Sequence, residues 1–249
     1  LFPEGVIKII VDRYDDALGT LKSFRQGVVQ PYTERRLLAF IDWAGKKWSI
    51  DHNRITVTGP GGGAAGGGSI HLGVRHPDVF NLVVSGYGAA DYAGEIDFLA
   101  AVKRAGAMPR QLESILGRRE WACKTDTGKN VWDELNCTKV VRSLPAETHL
   151  PLITVTGRGM TKATRDFLAA MVETNQPVMA RFGVYGGGLV LPVTRTGNWS
   201  RMIHQDLALD QPMPVFMGGD TASLYADPKQ PAGNLVVSDG INWWWGVIG

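Results

Sequence analysis

The stretch from Arg54 to Pro77 reads RITVTGPGGGAAGGGSIHLGVRHP, and its organisation decides how the rest of the chain is read. Ile55 to Thr58 is a short β-branched, apolar run of the kind that forms a buried strand. A glycine tract follows, with seven glycines among the ten residues from Gly59 to Gly68. The backbone there can turn sharply and pack closely against a neighbour. From the tract the pattern becomes helical and ends at Arg75-His76-Pro77, where proline stops further extension. The prediction is therefore strand, tight turn and helix, with no reactive side chain in the turn.

Working outward, the same alternation recurs. Gly5 to Tyr14 (GVIKIIVDRY) reads as a buried strand, Leu21 to Pro31 as a loop, and Tyr32 to Trp48 as a helix with Leu37, Ile41, Ala44 and Trp48 on its inner face. After the glycine-rich helix come a strand at Phe80 to Ser85, a strand at Pro151 to Gly157, a helix at Thr161 to Thr174 and a strand at Pro177 to Val184. Strands alternating with helices predict βαβ units and an α/β fold with a doubly wound, mostly parallel sheet. Ala89 to Leu150 interrupts the alternation with helical patches (Ile96, Leu99, Val102; Leu112, Ile115, Leu116). Leu189 to Gly249 is rich in Pro, Gly, Asp and Trp, and carries short strand-like runs such as NLVVS. It reads as a β-rich extension, possibly truncated.

Composition narrows the classes further. With 249 residues and 44% hydrophobic content the chain can bury a full core. Its 26 basic and 24 acidic residues nearly balance and are scattered along the sequence, which argues against a nucleic-acid stripe or a polybasic membrane patch. No run of apolar residues is long enough to span a membrane, and the first residues lack a charged-then-apolar signal segment. Cys123 and Cys137 lie fourteen positions apart in a polar segment. They would be free thiols in a reducing compartment or a disulfide in an oxidising one. A zinc site is not expected from two cysteines without a nearby histidine pair.

The order strand, glycine turn, helix, then RHPDVF resembles the nucleophile elbow of the α/β-hydrolase superfamily, in its secreted esterase and prolyl-oligopeptidase-like branch. YTERRLLAFIDWA and IDHNRITVTG resemble the matching segments of that branch, so the likeness covers roughly Leu1 to Gly188. It implies an α/β-hydrolase domain over residues 1–188, with residues 89–150 as a cap-like insertion and residues 189–249 as an extension. Two or three strands would precede Gly5 to Tyr14 in a complete member. A secreted, periplasmic or cell-surface location is implied, and it favours a Cys123–Cys137 disulfide.

The resemblance also says where a catalytic triad should stand, and the residues there do not fit. The elbow serine of G-x-S-x-G falls on Gly61 or Gly63. The acid after the strand ending Thr156-Gly157 falls on Gly159 or Met160, and the histidine after the last parallel strand falls on Gly188. None of these side chains can attack, orient an imidazole or move a proton. A fall-back set is Ser69, Asp166 and His204, although Ser69 sits where a helix packs on a sheet, Asp166 sits early in a helix and His204 lies in a long loop. His71, His76, His52 and Asp51 read as structural.

The glycine tract satisfies G-x-G-x-x-G at Gly61, Gly63 and Gly66 only because it is so rich in glycine. The Gly-Lys-Ser/Thr ending of a phosphate loop is absent, and no acidic residue ends the following strand near position 85, so nucleotide binding is not supported. Trp243, Trp244 and Trp245 stand in a row and are candidates for stacking on a sugar ring or a partner protein, or for packing against a following domain. The expectation is a catalytically inactive, esterase-like domain. It would bind or support within a larger assembly, with other domains or subunits, or a carbohydrate or ester, as partners and with no cofactor. The rival is an active serine esterase or peptidase built from displaced residues.

Overall fold

A computed structural model describes residues 28–59, 64–86, 88–101, 108–157, 161–182, 209 and 235–237. The described elements are α1 (Tyr32–Lys47), β1 (Thr56–Gly59), α2 (Ala64–Arg75), β2 (Leu82–Gly86), α3 (Tyr92–Ala101), α4 (Met108–Leu116), a 3-10 turn (Arg119–Trp121), α5 (Val131–Glu134), α6 (Cys137–Ser143), β3 (Leu152–Gly157), α7 (Lys162–Glu173), β4 (Val178–Phe182) and β5 (Leu235–Val237). The described residues form a mixed α/β structure around a five-stranded sheet in the order β1-β2-β3-β4-β5. The first four strands are parallel and β5 pairs antiparallel with β4.

Register explains why the strands read as nearly continuous apolar runs. Val57 pairs with Val83, Val83 with Ile153 and Ile153 with Val178, so these four residues lie in one row on one face. That face meets Ile70 and Val74 of α2, Cys137 and Val141 of α6, and Phe167, Leu168 and Met171 of α7, all within one core cluster. On the opposite face Leu82, Val84, Leu152 and Thr154 are also buried. Burial on both sides is what a parallel sheet demands of its sequence. The Thr154 hydroxyl is accommodated by donating to the Val83 carbonyl at 3.0 Å.

Among the described strands, neighbours in the sheet are also neighbours in sequence, so their order contains no reversal. The helices that join these strands, α2, α6 and α7, gather on one face of the sheet. The second winding that a doubly wound sheet requires is not among the described residues. One expectation is corrected. Trp48 does not belong to the inner face of α1: it lies past the helix end in extended backbone and is 43% exposed, so helical spacing no longer governs where it points. Leu235–Val237, from the run read as a β-rich extension, hydrogen-bonds to β4 in the same sheet. The strand expected at Gly5 to Tyr14 lies outside the described residues.

The insertion between β2 and β3 holds α3 to α6 and has a core of its own. Val29, Ala89, Tyr92, Leu116, Cys123, Val131, Trp132 and Leu135 form a second buried cluster. The Trp132 indole N–H, which would be costly to leave unpaired at this depth, donates to the Gly117 carbonyl at 3.1 Å. Asn130 and Asn136 cap α5 and α6 by accepting from the Trp132 and Lys139 amides. Val29, in a segment read from sequence as loop, is only 1% exposed because its amide donates to the Lys124 carbonyl and its side chain completes this cluster. The insertion is tied to α1 and α2 through charge. Arg75 lies 3.1 Å from Glu34 and 3.9 Å from Glu134, and all three side chains are less than a fifth exposed.

Helix α2 is made of poor helix formers, each interior glycine costing about 1 kcal/mol relative to alanine. Packing explains their presence. A Cβ on Gly66 would fall inside van der Waals contact of the Gly86 carbonyl oxygen and 2.7 Å from the Gly88 nitrogen, and one on Gly73 would strike a Val83 methyl. By contrast, a Cβ on Gly68 would meet nothing within 4 Å. Gly66→Ala is therefore expected to destabilise the protein by about 3 kcal/mol, because backbone cannot move aside as a side chain does. Gly68→Ala is expected to be neutral or to stabilise by about 0.5–1 kcal/mol. Urea unfolding of the two variants checks the pair, and equal effects would refute the packing account.

Candidate functional site

In an open parallel sheet, ligands are received at the carboxyl ends of the strands. Here that edge is formed by the exit of β1 into α2, by Gly88 to Asp91 after β2, and by Thr161 after β3. Gly61, Gly63, Gly159, Met160 and Gly188, the positions where the resemblance places a triad, lie outside the described residues, as do His204, Trp243, Trp244 and Trp245. The identity of these residues is set by the sequence regardless, and none of the five triad positions carries a nucleophile, an acid or an imidazole.

Two members of the fall-back set can be followed. Ser69 is 2% exposed, and its hydroxyl donates to the Gly66 carbonyl at 2.8 Å, with the Val84 carbonyl at 3.4 Å. Ser85 donates to the same Gly66 oxygen at 2.9 Å. Ser69 thus seals the α2–β2 contact. Asp166 is on α7, where it forms an i, i+4 ion pair with Lys162 at 2.5 Å. One residue faces the core and the other a surface lysine, so the structure does not bring this pair together.

The histidines read as structural behave accordingly. His76 meets Glu34 at 2.9 Å, half-buried beside Arg75. Asp51 accepts from the Asn53 amide at 3.0 Å and lies 3.5 Å from Arg54, forming a local turn. The His52 ring packs against Gly45, where a Cβ would collide with it. His71 differs from these. It is fully buried, stacks on Tyr92 with ring centroids 4.8 Å apart, and places Nδ1 3.1 Å from the Cys137 sulfur.

A cysteine beside a histidine suggests thiol chemistry, and the electrostatics argue against it. Burial first, and then the Arg75 guanidinium, lower His71 to about 3, while the Ala89 carbonyl favours the charged ring. Burial also pushes the Cys137 thiol far up; Arg75 opposes this and Asp91 adds to it. Both shifts favour the neutral forms, so the pair is thiol and imidazole rather than thiolate and imidazolium. A protonated thiol donates to Nδ1 and leaves the ring proton on Nε2, which has no hydrogen-bond partner. With Cys137 only 1% exposed, this is an inert core contact.

The expected Cys123–Cys137 disulfide is not formed. Cys123 belongs to the core of the insertion and Cys137 to the core under the sheet, where its sulfur is turned onto His71. Tertiary packing places the two in different interiors despite their closeness in sequence.

Sequence reasoning missed a pair of carboxylates at the sheet edge. Asp91 follows β2 and caps α3 by accepting from the Ala93 amide at 3.0 Å. Glu95 lies one turn on. Burial raises its carboxyl above the usual range, a hydrogen bond with Thr161 opposes this, and Asp91 adds to the rise. Glu95 of α3 is thereby joined to Thr161, the residue that caps α7. The signal is the run D-Y-A-G-E from Asp91 to Glu95, which starts three residues after Gly88. Among the described residues no three His, Cys, Asp or Glu side chains form a group that could hold a metal ion, and no helix is long and apolar enough to cross a membrane.

No protein family and no curated protein matches the chain. Solved structures similar to it include an S-formylglutathione hydrolase from Agrobacterium tumefaciens, at 15% identity and a TM-score of 0.46, covering 71% of this chain and 56% of that one. Another is the fluorophosphonate-binding serine hydrolase FphF of Staphylococcus aureus, at 15% identity and a TM-score of 0.43, covering 71% and 61%. A dipeptidyl aminopeptidase IV-like protein from Bacteroides ovatus matches at 14% identity and a TM-score of 0.47, covering 70% of this chain and 22% of that one. The chain spans about three-fifths or less of the length of each.

His71 makes the pH dependence of stability testable. Folded, it takes a proton only near pH 3, whereas the unfolded chain takes one near 6.5. Between those values the unfolded state binds more protons, so stability falls as pH drops, by up to about 1.4 kcal/mol per pH unit for one group. Urea unfolding at several pH values from 7 down to 4 is expected to show a slope that is shallower by about one proton in His71→Gln. Identical slopes in the two proteins would sink the assignment.

Proposed function

We propose that this chain is a non-catalytic domain of α/β-hydrolase type that binds or supports, within a larger secreted or envelope protein. Its partners would be other domains or subunits of that assembly, or a carbohydrate or ester ligand, and it needs no cofactor. The observation that carries this reading is the coincidence of Gly61 or Gly63, Gly159 or Met160, and Gly188 at the three positions where the resemblance requires serine, acid and histidine. Triad members act as a unit, so replacing all three removes far more than one register error in any single position could explain. Ser69, the nearest serine downstream of the turn, has its hydroxyl committed to backbone carbonyls. The Cys137 thiol is protonated and buried.

A second reading, an active ester or peptide hydrolase using displaced residues, is favoured by one feature. Asp91 follows β2 and Glu95 reaches Thr161, so the segment after β2 supplies carboxylates where the residues after β3 do not. An acid alone orients nothing, however, and the reading still lacks a nucleophile and a base.

Treatment with a fluorophosphonate probe, together with p-nitrophenyl acetate turnover, separates the two. The expected result is no labelled serine and turnover equal to that of a Ser69→Ala variant and of buffer. Labelling at any serine that is abolished by mutating that serine would overturn the non-catalytic reading.

A further inference from the structure

Asn136-Cys137-Thr138 is an asparagine with a hydroxyl residue two positions on and no proline between them, the pattern at which oligosaccharide is transferred to asparagine. So short a pattern has to be judged by its structural setting. Asn136 is half-buried at the junction of α5 and α6, between Asp133 and Lys139, whose side chains are 58% and 63% exposed. Its side-chain oxygen caps α6 by accepting from the Lys139 amide at 3.0 Å, while its Nδ2 has no hydrogen-bond partner among the described residues. The described polar atoms sealed from water without a partner are His71 Nε2 and Thr138 Oγ1, so Asn136 Nδ2 is open to solvent.

Thr138 supplies an independent observation. Its side chain is buried and its hydroxyl is one of those two unpaired atoms. A hydroxyl stripped of water and left without a partner costs stability, and valine would fill the same space without that cost. Packing therefore gives no reason for a hydroxyl at position 138, whereas its place two residues after Asn136 does. Because Thr138 is covered in the folded protein, a transferase reads the three residues before α6 forms.

Resting on the reading of the chain as secreted, we propose that Asn136 accepts an N-linked oligosaccharide before the chain folds. The donor is a lipid-linked oligosaccharyl diphosphate. The bond from the anomeric carbon to the diphosphate oxygen breaks, that carbon bonds to Asn136 Nδ2, the amide gives up one proton and the lipid diphosphate leaves. No oxidant or reductant is consumed. The product is still an amide, so its oxygen continues to accept from Lys139 and the cap of α6 survives. The sugar leaves the protein beside Asp133 and Lys139, where a bulky, hydrated group meets water.

Secretion of the full chain from insect cells, behind an added signal peptide, tests this by mass analysis of the peptide that carries Asn136. That peptide is expected to bear a glycan that peptide-N-glycosidase removes. Asn136→Asp, which keeps a capping oxygen, and Thr138→Val are expected to abolish occupancy, and Thr138→Ser to retain it. Made without glycan in a bacterial cytosol, Thr138→Val is expected to unfold in urea at the parent's midpoint or above, since no hydrogen bond is lost. An unmodified Asn136 in the secreted parent, or a lowered midpoint for Thr138→Val, would overturn the inference. So would a glycan confined to the other such pattern, Asn198-Trp199-Ser200, which lies outside the described residues. Fractionation of the source cells keeps the two readings apart: native chain found only in the cytosol sinks both, whereas unmodified chain found outside the cell sinks the glycan alone.

Discussion

The structure depends on one close approach: the first turn of α2 lies directly against the exit of β2, backbone to backbone, at Gly66, Gly86 and Gly88. No side chain of any size fits between them. Ser69 and Ser85 fasten the contact by donating to the same Gly66 carbonyl. With α2 held this close, Ile70 and Val74 reach the row of Val57, Val83, Ile153 and Val178 and complete the core on that face. The glycine tract is therefore as much a packing device as a turn, and its helix survives poor intrinsic propensity because tertiary contact outweighs it.

That packing also decides the chemistry. α2 carries His71 into the interior, where the ring meets Tyr92 and Cys137 and the cost of desolvating charge keeps histidine and cysteine neutral. Residues that would be reactive at a wet edge are thus inert in the core. Near the carboxyl edge of the strands Asp91 caps α3, and Glu95, one turn on, is joined to the start of α7 through Thr161. A scaffold suited to receiving a ligand and a reaction centre able to transform one are separate properties.

The insertion is an integral part of the architecture. Its own core is closed by Val29 from the segment ahead of α1, and its underside is bound through Arg75, which meets Glu34 of α1 and Glu134 of α5. Partly buried charges in such an arrangement position elements relative to one another more than they add stability, since desolvation offsets most of their attraction.

Much of this was legible in the sequence, for identifiable reasons. Parallel strands buried on both faces must be apolar throughout, so β2, β3 and β4 announced themselves, and proline after Arg75-His76 marked the end of α2. Other features could not be read from the sequence. That Cys123 and Cys137 occupy different cores, that Glu95 reaches Thr161, and that Leu235–Val237 pairs with β4 depend on contacts between residues far apart along the chain. Periodicity identified α1 but assigned Trp48 to its inner face, because spacing carries no record of where a helix stops. The physical reason is common to all of these: sequence encodes local preference and pattern, whereas burial, proximity and the resulting protonation states arise only when distant segments exclude water together.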